Sequence, residues 1–278
     1  MSQSLRSLLL AMLAVSFLAP AFAGENQAAD EGIVTITAVA NEGFLISDGN
    51  RAVLIDAFVR DPLPWQYHTT PAATWAAMLA GEGDFGKVIA AVASHEHVDH
   101  IQPAAAIEWL SANEGTPLFA TPGAIAAIEE QGGSGLPLFD IEPWQTPKRD
   151  RSWGGLSLRF FYLPHGDNED ATPRNLGTLI TIAGKRILHI GDTQPIEAFF
   201  ANLDIPPGEI DLLLVPQWFL LKQHFPDALP MLERTIAPKQ IALTHARTDS
   251  LQGFLQILPQ IAPGVISLAE PGDTLVLD

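Results

Sequence analysis

Residues 94–100 read Ser94-His95-Glu96-His97-Val98-Asp99-His100, and this heptapeptide decides the fold expected for the chain. It follows an aliphatic run at 88–93 that predicts a short buried strand. Residues two apart in an extended chain point the same way, so His95 and His97 can approach one point. If a helix begins near His100, then Asp99 and His100 approach that point from the other side. These side chains suit a pair of zinc-type ions held about 3.5–4 Å apart.

A histidine-rich polar loop is the alternative explanation of the heptapeptide. The chain has 8 His in 278 residues, so three of them within six positions are poorly explained by chance. Three further segments also end a predicted strand with a metal-type ligand. They are His165 after 156–163, Asp192 after 186–190 and His245 after 240–244. Strand ends that meet at one edge of a sheet form a crevice for ligands.

Hydrophobic periodicity predicts alternating strands and helices in two similar halves. The predicted strands lie near 33–39, 44–47, 52–56, 88–93, 118–121, 156–163, 176–182, 186–190, 210–215, 240–244 and 274–277. The predicted helices lie near 71–80, 103–112, 122–131, 225–235 and 249–261, and a Gly/Pro-rich connection spans 132–147. No low-complexity linker divides the chain, and we expect residues 24–278 to form one domain.

The order His-x-His-x-Asp-His, a lone His, Gly-Asp and a second lone His resembles the dinuclear metal pattern of the metallo-β-lactamase superfamily. The resemblance covers about residues 32–278, and the segments at 175–177 and 185–192 are most similar to the branch related to ascorbate-phosphate lactonases. The resemblance implies an α/β (α+β) fold. Two mixed sheets would lie face to face in an αββα sandwich with the helices outside.

Transferred onto this sequence, the resemblance implies a ligand set of seven residues. The first metal would be held by His95, His97 and His165, the second by Asp99, His100 and His245, and Asp192 would bridge them. Asp56 would brace the metal loop without binding metal. Taken singly, Asp56 is also explained as the cap of a turn, Asp192 as a helix cap, and each lone His as an ordinary polar residue.

The chemistry implied is hydrolysis of an ester, lactone or phosphodiester bond in a small molecule, with two Zn²⁺ per chain, or Fe or Mn. A water that bridges two such ions loses its proton near neutral pH. Asp99 would be the catalytic residue that takes up or passes on that proton while it remains a ligand. Two alternatives remain: a mononuclear iron dioxygenase of sulfur compounds, and a binding protein of the same fold without catalysis.

Three residues are candidates for substrate binding. Arg174, in a loop that could close over the site, suits an anionic group, although a surface ion pair with Glu169 or Asp170 explains it as well. Trp218 and His224 follow the strand at 210–215 and could line the pocket or pack in the core. The loop at 58–70 is a possible lid or an ordinary surface excursion. His189 lies mid-strand and is expected to be a core or supporting residue.

Composition limits the possible partners. The formal net charge is −17, so the surface repels phosphate backbones and nucleic acid is a poor candidate partner. The chain has no Cys, so it forms no disulfides and its metal ligands must be His, Asp, Glu or water. We expect a small-molecule substrate and no stable membrane anchoring.

Residues 1–23 predict a cleaved signal peptide and a periplasmic or secreted protein. Arg6 supplies a positive start, 8–18 an apolar stretch too short to span a membrane, and Ala21-Phe22-Ala23 a small-residue cleavage site. Mass spectrometry of the exported protein should therefore find Gly24 at the N-terminus. A full-length chain retained in the cytosol would contradict this prediction.

Overall fold

The computed structural model describes residues 32–145, 149–168 and 170–278, and the predicted signal peptide lies outside these ranges. Two seven-stranded sheets face each other, and helices cover the outer face of each. The αββα sandwich of two mixed sheets is therefore confirmed. Each sheet must bury two apolar faces, and this four-layer arrangement does so.

The first sheet has the strand order β14-β1-β2-β3-β4-β5-β6. Its first four members pair antiparallel, and β3 to β6 pair parallel. The strands are β1 (Val34–Ala38), β2 (Phe44–Ser47), β3 (Ala52–Ile55), β4 (Val88–Ala93), β5 (Leu118–Ala120), β6 (Leu138–Asp140) and β14 (Thr274–Leu277).

The second sheet repeats this plan with the order β13-β12-β11-β10-β9-β8-β7. Strands β7 to β10 pair antiparallel, and β10 to β13 pair parallel. The strands are β7 (Arg149–Trp153), β8 (Leu156–Tyr162), β9 (Leu176–Ile182), β10 (Lys185–His189), β11 (Leu212–Pro216), β12 (Gln240–Thr244) and β13 (Ile266–Ser267).

Three apolar cores correspond to the three interfaces between layers. One lies between the sheets, with Phe44, Phe160 and Leu214 among its fully buried members. The other two lie under the helices of each half. These helices are α1 (Ala72–Ala80), α2 (Pro103–Ala112), α3 (Pro122–Ile128), α4 (Glu197–Ala201), α5 (Ala228–Thr235) and α6 (Leu251–Ile261). No helix of the described ranges has the length and hydropathy of a membrane span.

The structure corrects the predicted elements in three places. β6 lies inside the stretch predicted as a connection, and β7 and β13 were also missed, because these are short edge or near-edge strands with weak alternation. The helix after the heptapeptide begins at Pro103, as predicted for 103–112, so Asp99 and His100 are not placed by a helix that starts near His100. Residues 97–100 instead form a turn, in which the amides of His100 and Ile101 donate to the His97 carbonyl at 3.0 and 2.9 Å.

Candidate metal centre

The heptapeptide is anchored by Asp56, the residue after β3. The Ser94 amide donates to Asp56 Oδ1 at 2.7 Å, and the Ser94 hydroxyl donates to Oδ2 at 2.6 Å. Asp56 Oδ2 also lies 2.8 Å from His100 Nδ1. Asp56 is fully buried and has φ +47°, so it leaves the sheet sharply and turns its carboxylate toward the metal loop. Asp56 therefore links the end of β3 to both Ser94 and His100.

Asn175 connects the second-half ligands in a similar way. Its side-chain amide donates to the Leu163 and Ile190 carbonyls at 2.8 and 3.0 Å, and its Oδ1 accepts from the Asp192 amide at 3.2 Å. Gly191 has φ +52°, and a Cβ there would collide with Asn175 Oδ1. Glycine at this position therefore lets the chain pass close to Asn175 before it reaches Asp192. From the sequence, the segment at 175–177 is identified only by its resemblance to one branch of the superfamily.

Six of the seven predicted ligands lie together with Glu42 at one edge of the two sheets and form two groups that share Asp192, whereas Asp99 belongs to neither group. In each group, one potential ligand atom per residue lies within 4.8 Å of all the others. The first group is His95, His97, His165 and Asp192, and the second is Glu42, His100, Asp192 and His245. Asp192 Oδ2 lies 3.4 Å from His165 Nε2, and Oδ1 lies 3.2 Å from His100 Nε2. The shared carboxylate thus faces both groups.

Asp99 lies beside the second group. Its Oδ2 is 3.3 Å from His245 Nε2 and 3.9 Å from His100 Nε2. It also lines the open side of the site, unlike the fully buried His100.

Glu42 is the residue of this centre that sequence reasoning missed. It lies in the short connection between the strands predicted near 33–39 and 44–47, yet its side chain is fully buried. A Cβ at Gly43 would lie 2.7 Å from the Asp56 carbonyl, so this segment packs directly against the end of β3 that carries Asp56. An acid between two apolar strands was the available signal, but only the pairing of the sheets shows which side chains it meets.

The residues present fit a metal centre. Among the described residues, buried atoms without a hydrogen-bond partner include Nε2 of His100, His165 and His245, and Oδ1 of Asp99 and Asp192. A buried polar atom without a partner costs free energy, and a bound cation offsets that cost. Imidazole nitrogens combined with carboxylate oxygens are typical ligands of Zn²⁺, Fe²⁺ and Mn²⁺.

The two groups differ in their electrostatics. In the first, burial and the neighbouring His100 hold the pKa of His95 well below its usual range, so this imidazole is neutral and ready to bind metal. In the second, burial lowers the pKa of His100, but Asp192 and Asp56 outweigh it and raise that pKa well above the usual range. Burial also raises the pKa of Glu42, although His245 opposes that effect.

A cleft of ≈ 340 Å³ opens above the two groups. Its walls include the aromatic rings of Tyr67 and Trp218. Both rings pack edge-on against His245, with ring centroids 4.6 Å apart for Tyr67 and 5.1 Å apart for Trp218. Trp65 and Gln194 complete the rim, and His97, Asp99, His165, Asp192 and His245 form the floor. The loop at 58–70 therefore contributes two of the aromatic side chains.

Of the three predicted substrate-binding residues, one lines the cleft. Trp218 lines the cleft, and its indole N–H donates to the Thr193 carbonyl at 3.0 Å. Arg174 instead donates to the Tyr162 hydroxyl at 2.6 Å and lies over the Trp144 ring. His224 lies beside Gln223, at 3.3 Å between side-chain nitrogens. Neither Arg174 nor His224 is among the described residues that line the cleft.

An αββα fold with two His/Asp groups that share one carboxylate at the sheet edge defines a protein of the metallo-β-lactamase type. A family model described as "Beta-lactamase superfamily domain" matches residues 51–245. The chain belongs to this family.

Solved structures share the fold at low identity. One is a possible metal-dependent hydrolase from Veillonella parvula, with TM-score 0.62, 18% identity, and 88% of this chain and 100% of that chain covered. A metallo hydrolase from the archaeon Ignicoccus hospitalis has TM-score 0.57, 18% identity and coverages of 88% and 99%. An isothiocyanate hydrolase from Delia radicum gut bacteria has TM-score 0.58, 16% identity and coverages of 87% and 98%. No curated protein matches this chain.

Metal-free protein should lose stability as pH rises because of His245. Burial lowers the pKa of His245, but Asp192 and Asp99 outweigh burial and raise it to about 10. The folded-state pKa of His245 thus exceeds its ordinary value of about 6.5. The contribution of protonated His245 to the free energy of unfolding is therefore complete below about pH 6.5 and is lost as pH rises through about 10. Urea unfolding in chelator should show the free-energy gap between wild type and H245Q shrinking over this range.

A gap that stays constant or widens with pH would contradict this prediction. Metal-loaded protein is the control, because an ion held by His245 would replace the proton and remove the pH dependence that this residue contributes.

Proposed function

We propose that this protein is an exported dinuclear metal-dependent hydrolase of a small-molecule ester or lactone. The observation that carries the proposal is the pair of ligand groups sharing Asp192 at the floor of a cleft. Two divalent ions at these groups would supply an activated water at neutral pH and a Lewis acid for the attacked carbonyl. We take Zn²⁺ as the resident ion, with Fe or Mn as alternatives that fit the same donors.

The residues of the chain divide the remaining work. Asp192 holds the two positions at a fixed separation, since its two oxygens face different groups. Burial raises the pKa of Asp99, but His100 and His245 outweigh burial and lower it, so this carboxylate is ionised at neutral pH. Asp99 lines the cleft, where it can accept the proton of the attacking water and return it to the leaving group.

The walls of the cleft favour an uncharged ester or lactone over a phosphodiester. Among the described residues that line the cleft, none is Lys or Arg. Three of them are large aromatic residues, Trp65, Tyr67 and Trp218. A phosphodiester would find no cationic side chain on these walls to balance its negative charge. An uncharged substrate instead buries apolar surface against the rings, at about 25 cal/mol per Å².

The cellular setting belongs to the same proposal. The N-terminal pattern at 1–23 supports a periplasmic or secreted site of action. The volume of the cleft, ≈ 340 Å³, supports a small-molecule partner, and the acidic composition disfavours nucleic acid.

Removing the shared carboxylate should weaken metal binding at this centre. D192A is expected to reduce metal content from two ions towards one per chain and to lower ester turnover at least about 100-fold, because Asp192 contacts both groups. Elemental analysis of protein purified without chelator or added metal measures the first effect. D140A, which removes an exposed acid at the end of β6, is the matched control and should keep both ions.

Two outcomes would overturn the assignment as a hydrolase. One iron per chain with oxygen uptake on persulfide substrates would favour the sulfur dioxygenase. Two ions without turnover of any ester, lactone or phosphodiester would favour the binding protein.

Substrate preference tests the aromatic cleft. With matched leaving groups, kcat/KM for an uncharged aryl ester or lactone should exceed that for a phosphodiester by about 100-fold or more. W218A should lower kcat/KM for the aryl ester by about 10-fold, since the indole offers apolar contact beside His245. F139A removes an exposed aromatic ring outside the cleft and should leave kcat/KM for the aryl ester unchanged. A preference for the phosphodiester would contradict the assignment.

A further inference from the structure

The two imidazoles of the second group are supported differently in the structure. His100 has a carboxylate at its outer nitrogen, with Asp56 Oδ2 2.8 Å from Nδ1. His245 has none among the described residues, and its Nδ1 is buried without a hydrogen-bond partner. A histidine that binds metal almost always donates its other ring N–H to a carboxylate, carbonyl or water. His245 therefore needs an acceptor once its Nε2 is occupied.

Glu42 in turn lacks a hydrogen-bond donor at one of its carboxylate oxygens. Its Oε1 accepts from the Thr244 hydroxyl at 3.1 Å, whereas its Oε2 is buried without a partner. His189 does not neutralise it, because His189 Nδ1 accepts from the Gly191 amide at 3.2 Å and Nε2 lies 3.3 Å from the Glu42 backbone carbonyl. That pattern describes a neutral imidazole. A buried carboxylate needs a donor or a cation, and Glu42 still has one free oxygen.

The two side chains are neighbours. One carboxylate oxygen of Glu42 and one ring nitrogen of His245 lie within 4.8 Å of each other in the second group. The backbones are joined as well, since the His245 amide donates to the Asn41 carbonyl at 3.3 Å. Thr244, which holds Glu42 Oε1, directly precedes His245 in the chain.

We propose that Glu42 is a positioning residue for metal binding: in the metal-loaded protein its Oε2 accepts the Nδ1–H of His245, as Asp56 does for His100. Each imidazole of the second position is then backed by a buried carboxylate. The pair orients Nε2 of His245 toward the ion and makes that nitrogen more basic. This inference rests on the proposed two-ion site.

The experiment follows the Nδ1 proton of His245 directly. Zinc-loaded protein labelled with ¹⁵N-histidine is studied by long-range ¹H–¹⁵N correlation, with His245 assigned by its loss in H245Q. The wild type should show a protonated, slowly exchanging Nδ1. E42Q should speed the exchange of that proton at least about 10-fold and weaken the second ion by about 10–100-fold in chelator competition, with the first ion unchanged.

Matched variants identify the acceptor. D56N should affect His100 and leave the Nδ1 of His245 unchanged, and D211N, a partly buried acid remote from the site, should affect neither ring. If E42Q does not fold, T244V serves in its place, because it removes the hydroxyl that orients Glu42 and keeps the carboxylate. T244V should weaken the second ion in the same direction.

Three results would overturn the proposal. Unchanged exchange and unchanged affinity in E42Q would make Glu42 a bystander. Fast exchange in N41A but not in E42Q would assign the acceptor to Asn41, whose buried side-chain amide also lacks a partner. Unchanged exchange with an altered Co²⁺ spectrum in E42Q would make Glu42 a direct ligand. A wild type that binds no second ion would instead contradict the proposed function, before any variant is compared.

Discussion

The buried carboxylate–imidazole contacts at the shared edge of the two sheets are the constraint on which the rest of the structure depends. Burying an ionised carboxylate is costly unless donors or cations surround it. Asp56 meets this requirement through Ser94 and His100, and Asp192 through His100, His165 and His245. The strand ends that carry these side chains must therefore lie within hydrogen-bond reach of one another. That need fixes the approach of the two halves of the chain.

The fold meets this constraint by repeating one plan. Each sheet has an antiparallel part and a parallel part, and the carboxyl ends of parallel strands deliver side chains to the same edge. Strand β4 of the first half leads into the heptapeptide, while β10 and β12 of the second half lead to Asp192 and His245. The two halves also meet directly, because the Leu176 amide donates to the Ser94 carbonyl at 2.9 Å.

The centre has two chemically different sides. Its buried side carries Glu42, Asp56 and His189 beneath the candidate ligands, and Asp56 contacts His100 there. Its open side carries aromatic rings above them, and these rings determine what can approach. In the proposed hydrolase, metal binding and substrate choice would therefore respond to different substitutions. A change of substrate needs new residues in the loop at 58–70 or near Trp218, with the ligands kept.

The sequence by itself determined the class of fold and most of the candidate ligands, because both depend on local patterns. Aliphatic runs predicted most strands to within a few residues, and the spacing in residues 94–100 predicted which side chains could share an ion. Short edge strands such as β6 escaped prediction because three residues carry little periodicity. The tertiary structure alone decided the place of Glu42 and the walls of the cleft. Glu42 and Thr244 are 202 residues apart and meet only when the sheets pack, so no local pattern could reveal their contact.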